Sequence, residues 1–354
     1  MIRVVINGYG RIGRVAHRII LEKYAGSVDV VAINAGSSTD IKGWMYLLKY
    51  DSVYGTLQNH TLELKTQSAN LKTTAQNAKQ EAIGSLVIDG KEIPVFSQKD
   101  PSLLPWKDQG VDVVLECSGS LLTEEKVKAH IVAGAKKVVL SAPAKDDIPT
   151  YVLSVNAKDY KGEDIISNAS CTTNCITPVA KVILDTFGIE KAMMTTIHGY
   201  TSDQRLLDGG HKDYRRARSA ATNIIPTSTG ATHAAACAIP QLSGIFTGLA
   251  IRVPVPVGSL SDFTFLVSKK TTKEEVNQAL ENATQKAEYK GILAVTKDPL
   301  VSSDIIGSSY SSIVDLALTQ VVGGNMVKVI AWYDNEWGYA NRLVEEAILI
   351  GNKV

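Results

Sequence analysis

Short blocks of apolar residues alternate with helix-spaced patterns through the first part of the chain. Ile2-Arg3-Val4-Val5-Ile6-Asn7 reads as a buried strand. It runs into Gly8-Tyr9-Gly10-Arg11-Ile12-Gly13, and helical spacing of Val15, Ile19 and Ile20 follows from Arg14 to Leu21. Val28 to Asn34 is a second strand, and Ile41 to Lys49 reads as a helix. Gln67 to Ile83 is polar and reads as a surface excursion. Ser85 to Val95 predicts a hairpin turning at Asp89-Gly90. Val111 to Cys117 and Lys137 to Ser141 are further buried strands. The amphipathic helix between them, Thr123 to Ala133, opens on a capping pattern at Thr123. Strands and helices in alternation predict a doubly wound parallel sheet.

The pattern then changes. Asp164-Ile165-Ile166 is a short strand, and Ser167-Asn168-Ala169-Ser170-Cys171-Thr172-Thr173-Asn174-Cys175 follows, leading into a helix-like run to Phe187. Ala192 to Ile197 is a strand ending at His198. Gly199 to Ile225 is long, polar and basic, and loops of that length in a compact domain are usually functional. Pro226-Thr227-Ser228-Thr229-Gly230 reads as a hydroxyl-rich turn before a helix from Ala231 to Ile239. Leu249 to Pro254 is a strand carrying Arg252; Asp262 to Ser268 and Val327 to Trp332 are others. Thr271 to Lys286 is a helix with a capping box of Thr271 and Glu274. Strands outnumber helices here, so a mixed, largely antiparallel sheet is expected. The fold class is α/β, with a Rossmann domain over 1–170 and an α+β catalytic domain over 171–335; helix 336–354 packs back on the first domain.

Composition narrows the function classes. The chain has 354 residues, enough for two domains, and a formal net charge of +1, which sets no general pull toward nucleic acid or membranes. No apolar run is long enough to span a bilayer, and no leader pattern precedes Ile2. Four cysteines in this length argue for a reducing compartment, with cytoplasm the expectation.

Two stretches carry chemistry. Strand, G-x-G-x-x-G turn and helix in immediate succession form a dinucleotide-binding pattern, with the pyrophosphate at the helix start. Such a site for NAD usually places Asp or Glu at the end of the next strand. Here Asn34-Ala35-Gly36-Ser37-Ser38-Thr39 has no carboxylate before Asp40. That leans toward NADP, or use of both; the competing reading has Asp40 or a backbone group serving NAD. At the second stretch, Cys171 sits where a helix begins among Ser, Thr and Asn, a setting that favours thiolate. The bland reading is an inert buried thiol. Cys175 follows on the same helical face without a second pair at zinc spacing, so it reads as a buried thiol, as do Cys117 and Cys237; no metal is expected.

Asn7 to Arg14, Ser167 to Cys175, Arg215-Arg216-Ala217-Arg218, Pro226 to Gly230 and Tyr333 to Tyr339 together resemble the phosphorylating glyceraldehyde-3-phosphate dehydrogenases. The resemblance implies a Rossmann domain, a catalytic domain with a long S-shaped loop, and a homotetramer needing neither membrane nor nucleic acid. It makes Cys171 the nucleophile and His198 its general base. Ser170, Thr172, Thr201, Arg216, Thr229, Gly230 and Arg252 take the substrate phosphate and inorganic phosphate. Gly8, Gly10, Arg11, Ile12, Gly13, Asn34, Ala35, Lys99, Ser118, Gly119, Ser141 and Asn335 serve the cofactor, NADP or NAD. NAD-specific members carry Asp where this chain has Ala35, and commonly a proline where it reads Asp208-Gly209-Gly210-His211; both departures favour NADP. Erythrose-4-phosphate dehydrogenases share the Cys–His machinery but usually lack the Pro-Thr-Ser-Thr-Gly turn. A non-catalytic dinucleotide-responsive binding protein is the remaining alternative, and retention of Cys171 and His198 weighs against it.

Overall fold

The computed structural model describes residues 1–66 and 81–354, so the polar 67–83 excursion lies almost wholly outside the described residues. The chain groups into two compact units. One takes Met1–Pro149, Lys161–Asn168 and Ala340–Val354; the other takes Thr150–Tyr160 and Ala169–Tyr339.

The first unit is built on strands β1 (Ile2–Asn7), β2 (Val28–Asn34), β3 (Tyr50–Asp51), β4 (Gly55–Thr56), β5 (Leu62–Thr66), β6 (Gly84–Ile88), β7 (Lys91–Phe96), β8 (Val113–Glu116), β9 (Lys137–Leu140) and β10 (Ile165–Ser167). Helices α1 (Arg11–Ile19), α2 (Ile41–Lys49) and α3 (Glu124–Val132) connect them. The main sheet runs β10-β9-β8-β1-β2-β7-β6-β5. It is parallel from β10 to β7, and β6 and β5 extend it antiparallel. Apolar runs such as Val4-Val5-Ile6 and Val113-Val114-Leu115 are wholly buried, as expected for strands covered on both faces. The chain leaves β1 toward β2 on one side and returns to β8 on the other. That reversal opens a crevice at the carboxyl ends of the strands.

Two glycines make the first turn possible. Gly8 has φ +91°, and a Cβ there would stand 2.5 Å from the Ser118 backbone nitrogen. A Cβ on Gly13 would stand 2.3 Å from the Gly8 carbonyl oxygen, so α1 packs on β1 only with glycine present. The β6–β7 hairpin turns at Asp89 and Gly90, both at positive φ. The cap expected from Thr123 differs: Thr123 holds the N-cap position of α3 without a side-chain bond, and Glu124 N–H donates to the Asp146 carboxylate at 2.6 Å. A carboxylate is the stronger acceptor for a helix-start amide.

The second unit contains β11 (Lys191–Gly199), β12 (Ile225–Ser228), β13 (Phe246–Val253), β14 (Ser259–Leu266), β15 (Leu293–Thr296), β16 (Ser312–Asp315), β17 (Gln320–Val322) and β18 (Met326–Tyr333). Its helices are α4 (Cys171–Phe187), α5 (Ala231–Ala238), α6 (Lys273–Thr284) and the start of α7 (Trp337–Gly351). The sheet runs β12-β13-β11-β14-β18-β16-β15, with β17 on β18. β11–β13 and β15–β16 are parallel and the other pairs antiparallel. Cys175, Ile176, Val179, Ala180 and Ile183 of α4 join Phe263, Phe265, Val327 and Val329 in its core.

Two local expectations shift. Pro226, Thr227 and Ser228 belong to β12, an edge strand, where proline's missing N–H costs no ladder bond; only Thr229-Gly230 turn. The capping box of α6 uses Thr272 and Glu275, one residue later than expected. Thr271-Thr272-Lys273-Glu274-Glu275 offers both registers. The one adopted leaves Val276, Leu280 and Ala283 buried on one face, while Thr271 adds its hydroxyl to Glu275 at 3.0 Å. From Ala340 on, α7 groups with the first unit, where Glu345 accepts from the Tyr24 hydroxyl at 2.6 Å.

Candidate functional site

In the second unit, Cys171 is the first residue of α4. Ser170 is the N-cap, its hydroxyl accepting from Thr173 N–H at 3.0 Å. Ala169 before it has φ 53°, a left-handed turn that costs a non-glycine residue energy, and its carbonyl accepts from the Tyr339 hydroxyl at 3.0 Å. Cys171 Sγ lies 3.4 Å from His198 Nε2, with His198 near the end of β11. The ring's other nitrogen, Nδ1, stands 2.6 Å from the Gly199 carbonyl oxygen. A carbonyl only accepts, so Nδ1 carries the proton and Nε2 presents its lone pair to the thiol. The β11–β13 register sets Arg252 directly beside His198. Arg252 Nη1 is 3.0 Å from Nδ1 and reaches the Gly199 carbonyl at 3.2 Å and Thr201 Oγ1 at 3.3 Å. The guanidinium charge this close opposes a second proton, and with it a positive charge, on the ring. Burial first and Arg252 second push His198 down to about 3. Burial also raises the Cys171 thiol, while Arg252 and the Thr172 hydroxyl act against it. Both directions favour a thiol facing a neutral imidazole.

Sequence reasoning missed the group behind this pair. Tyr333 is buried, with its hydroxyl 2.9 Å from Thr172 Oγ1 and 2.8 Å from Thr196 Oγ1, and its ring edge-on to His198. Thr172 is thus tied into the back wall of the site. Asn335 Oδ1 accepts from Ser259 Oγ at 2.8 Å, and Ser259 Oγ accepts from Gly199 N–H at 3.1 Å, so Asn335 braces the strand end that carries His198.

The remaining anion-binding candidates fall into two groups. Arg252 and Thr201 stand together beside His198. Arg216 ion-pairs with Asp203 at 2.5 Å, donates to Thr227 Oγ1 at 2.9 Å and to the Ser228 carbonyl at 3.1 Å, and so is anchored along β12. Thr229 Oγ1 accepts from Ala231 N–H, and Gly230 is the N-cap of α5. Thr173 Oγ1 reaches the Ala231 carbonyl at 3.4 Å, so the N-termini of α4 and α5 lie side by side with Ser170 and Gly230 at their heads. Two helix starts and two arginines are a setting for anions.

The first unit holds a groove of about 500 Å³ at the carboxyl ends of β1, β2 and β8. Of the cofactor candidates, Gly8, Gly10, Asn34, Ala35, Lys99 and Ser118 line it, joined by Asn7, Gly36, Ser37 and Gln98. Arg11, Ile12, Gly13, Gly119 and Ser141 are not among its lining residues, and Asn335 belongs to the second unit. Arg11 turns away to Asp51 and the Tyr54 ring. Nothing stands within 4 Å of where a Gly10 Cβ would be, so the turn is open to a phosphate. Among the described residues no carboxylate lines the groove, and Asp40 spends Oδ1 on Gly43 N–H at 2.8 Å. These residues fit a dinucleotide. Among the described residues, no cluster suited to a metal ion occurs.

A family model described as the NAD binding domain of glyceraldehyde 3-phosphate dehydrogenase matches residues 2–124, and the model of the C-terminal domain of the same enzyme matches residues 170–335. Glyceraldehyde-3-phosphate dehydrogenase 2 of Streptomyces avermitilis is 47% identical over 355 aligned positions, covering 100% of this chain and 99% of the relative. A chloroplastic glyceraldehyde-3-phosphate dehydrogenase of Arabidopsis thaliana is 49% identical over 352, covering 99% and 84%. The enzyme of Clostridium acetobutylicum is 48% identical over 350, covering 97% of each.

Proposed function

The chain belongs to the glyceraldehyde-3-phosphate dehydrogenase family, and from that premise we propose how its own residues carry out the phosphorylating oxidation of glyceraldehyde 3-phosphate to 1,3-bisphosphoglycerate. Cys171 Sγ attacks the aldehyde carbon. His198 Nε2 takes the thiol proton and passes it to the former carbonyl oxygen, giving a hemithioacetal. His198 then removes that hydroxyl proton as the carbon is oxidised to the thioester. The dinucleotide, when bound, supplies the acceptor for the hydride lost from the carbon. An oxygen of inorganic phosphate next adds to the thioester carbon, the C–S bond breaks, and the leaving sulfur recovers its proton from His198. Arg252 and Thr201 hold one anion beside the reacting carbon, while Arg216, Thr229 and Gly230 hold the other. The 3.4 Å Sγ–Nε2 contact, with Nδ1 committed to Gly199, carries this reading.

The cofactor preference follows from Ala35. A groove without a carboxylate, flanked by Ser37 and Lys99, accepts a 2′-phosphate that an acidic residue would repel. NADP is used, alone or with NAD. The test is steady-state kcat/KM with glyceraldehyde 3-phosphate, phosphate and each cofactor. Erythrose 4-phosphate is the competing aldehyde, and Cys171→Ser is the control. A preference for NAD of about tenfold or more, about 1.4 kcal/mol, would refute NADP use. Ala35→Asp moves the ratio toward NAD.

The 200–224 segment exposes Leu206, Leu207, Tyr214 and Ile224 at 70–86% of their surface, which supports burial against further copies and a homotetramer. A monomeric mass in sedimentation would refute it. Cytoplasmic residence is supported by four cysteines without a disulfide. No helix among the described residues is long and apolar enough to cross a membrane.

A further inference from the structure

Beneath the groove of the first unit, buried polar groups form one continuous hydrogen-bond chain that the reaction above does not use. The indole Nε1 of Trp106 lies 3.0 Å from His130 Nδ1, with the two rings stacked. His130 Nε2 lies 3.0 Å from Glu116 Oε2. The same oxygen takes the side-chain amide of Asn7, and Glu116 Oε1 takes both the backbone N–H of Ser118, at 2.8 Å, and its hydroxyl. Asn7 Oδ1 accepts from Asn34 Nδ2 at 2.6 Å. Asn34 is clamped to the Gln98 peptide, donating to its carbonyl at 2.8 Å and accepting from its N–H at 3.0 Å. Trp106, His130 and Glu116 are completely buried.

The indole fixes the protons at the His130 end of the chain. An indole N–H donates and never accepts, so His130 Nδ1 holds the lone pair and Nε2 the proton. His130 therefore reaches Glu116 through Nε2–H, and Glu116 accepts from His130, from the Asn7 amide and from the Ser118 backbone N–H. Asn7 must turn its NH2 to Glu116 and its oxygen to Asn34, and Asn34 is oriented in the same way. Strand register makes this possible: β1 sets Asn7 level with Asn34 of β2 on one side and with Glu116 of β8 on the other.

We infer that Trp106 and His130 are positioning residues for dinucleotide binding, acting through Glu116 on Asn7, Ser118 and Asn34. Those three line the groove, whereas Trp106 and His130 do not. The inference rests on dinucleotide binding in this groove and not on which dinucleotide is used. Removing the His130 donor leaves a buried carboxylate short of a partner and the Trp106 N–H without an acceptor. A buried carboxylate in that state draws its remaining donors out of place, and they are the groove wall.

The test compares His130→Leu with His130→Gln in the full chain, titrated with NAD and with NADP. Leucine has no donor, while glutamine can present an amide N–H to Glu116. His130→Leu is expected to weaken dinucleotide binding at least about tenfold and to raise the cofactor KM. The aldehyde KM and the alkylation rate of Cys171 without dinucleotide stay at wild-type values, and His130→Gln recovers most of the affinity. Binding by His130→Leu within about twofold of wild type overturns the inference, since a lost charge-assisted bond is worth more. So does a glutamine variant as impaired as the leucine one, or a parallel loss of Cys171 reactivity. If His130→Leu yields no folded protein, Glu116→Gln carries the same comparison with the same criteria, because its amide would meet at least one donor with a donor. A wild-type chain that binds neither dinucleotide overturns the groove assignment and the inference with it; the other failures overturn the inference alone.

Discussion

Replacing His198 with asparagine isolates what the imidazole does for the thiol. In the wild-type site the Cys171 proton has an acceptor 3.4 Å away, so reactive sulfur forms by an internal transfer. In His198→Asn the proton must leave to water. Burial then works against ionisation, with Arg252 and the Thr172 hydroxyl opposing it only in part. An unperturbed thiol, with a pKa near ~8.5, is about 3% ionised at pH 7, and a raised one is ionised less. Alkylation of the variant by iodoacetamide at pH 7 should therefore run below about 3% of its own alkaline plateau. The wild-type protein keeps its reactivity at pH 7, and its profile lies on the acid side of the variant's. Turnover should fall by roughly 10²–10⁴ through loss of the general base, with a much smaller change in KM for the aldehyde. The assay is alkylation rate against pH from 5 to 10, paired with steady-state kinetics. Superimposable alkylation profiles, or a kcat within about threefold of wild type, would refute the assignment of His198 as base.

Three other outcomes follow from the geometry. Arg252→Met should raise the aldehyde KM by about tenfold or more, through loss of a charge-assisted contact, and shift Cys171 alkylation to higher pH; unchanged values would remove Arg252 from the site. Gly8→Ala must both hold φ +91° and place a Cβ 2.5 Å from backbone, so dinucleotide titration should show at least about a hundredfold weakening, and normal binding would contradict the turn. Buried His17 is pushed down to about 3, below its unfolded value of ~6.5, so the unfolded chain binds the extra proton first. The stability contributed by His17 is complete above pH ~6.5 and is lost as pH falls toward 3, by up to ~1.4 kcal/mol per pH unit. The gap between urea midpoints at pH 7 and pH 5 should narrow in His17→Gln, with the remainder left to His198, and an unchanged gap would rule the residue out.

What was legible from sequence was whatever neighbouring residues decide. The glycine turn is legible because strand, turn and helix are consecutive. Cys171 at a helix start is legible because its caps lie beside it, and His198 because it ends an apolar strand. Contacts across distant segments were not legible. The Trp106–His130–Glu116–Asn7 chain joins residues separated by as many as 109 positions, and nothing in any one segment signals it. Tyr333 stands just past the expected strand Val327 to Trp332, and its hydroxyl's role depends on Thr172, 161 residues away. The capping box of α6 lies one residue later than expected because two adjacent Thr–Glu pairs fit the same local rule. The Arg11 guanidinium pairs with Asp51, forty residues away, a partner that no local pattern signals.

The parallel pairing of β11 with β13 has an architectural consequence. Parallel neighbours cannot be joined by a tight turn, so the chain must travel from Gly199 back to Phe246 before the second strand can begin. That return path contains the 200–224 segment, β12, the Thr229-Gly230 turn and α5. Ladder bonds hold His198 and Arg252 side by side, while the path between them carries Thr201, Arg216, Thr229 and Gly230, the other anion-binding candidates. The catalytic pair thus behaves as a fixed chassis, and the return path as an exchangeable cassette. Substrate range can be redesigned by exchanging the exposed part of that path between relatives, with Thr201 and Ala231 kept because they contact Arg252 and Thr173.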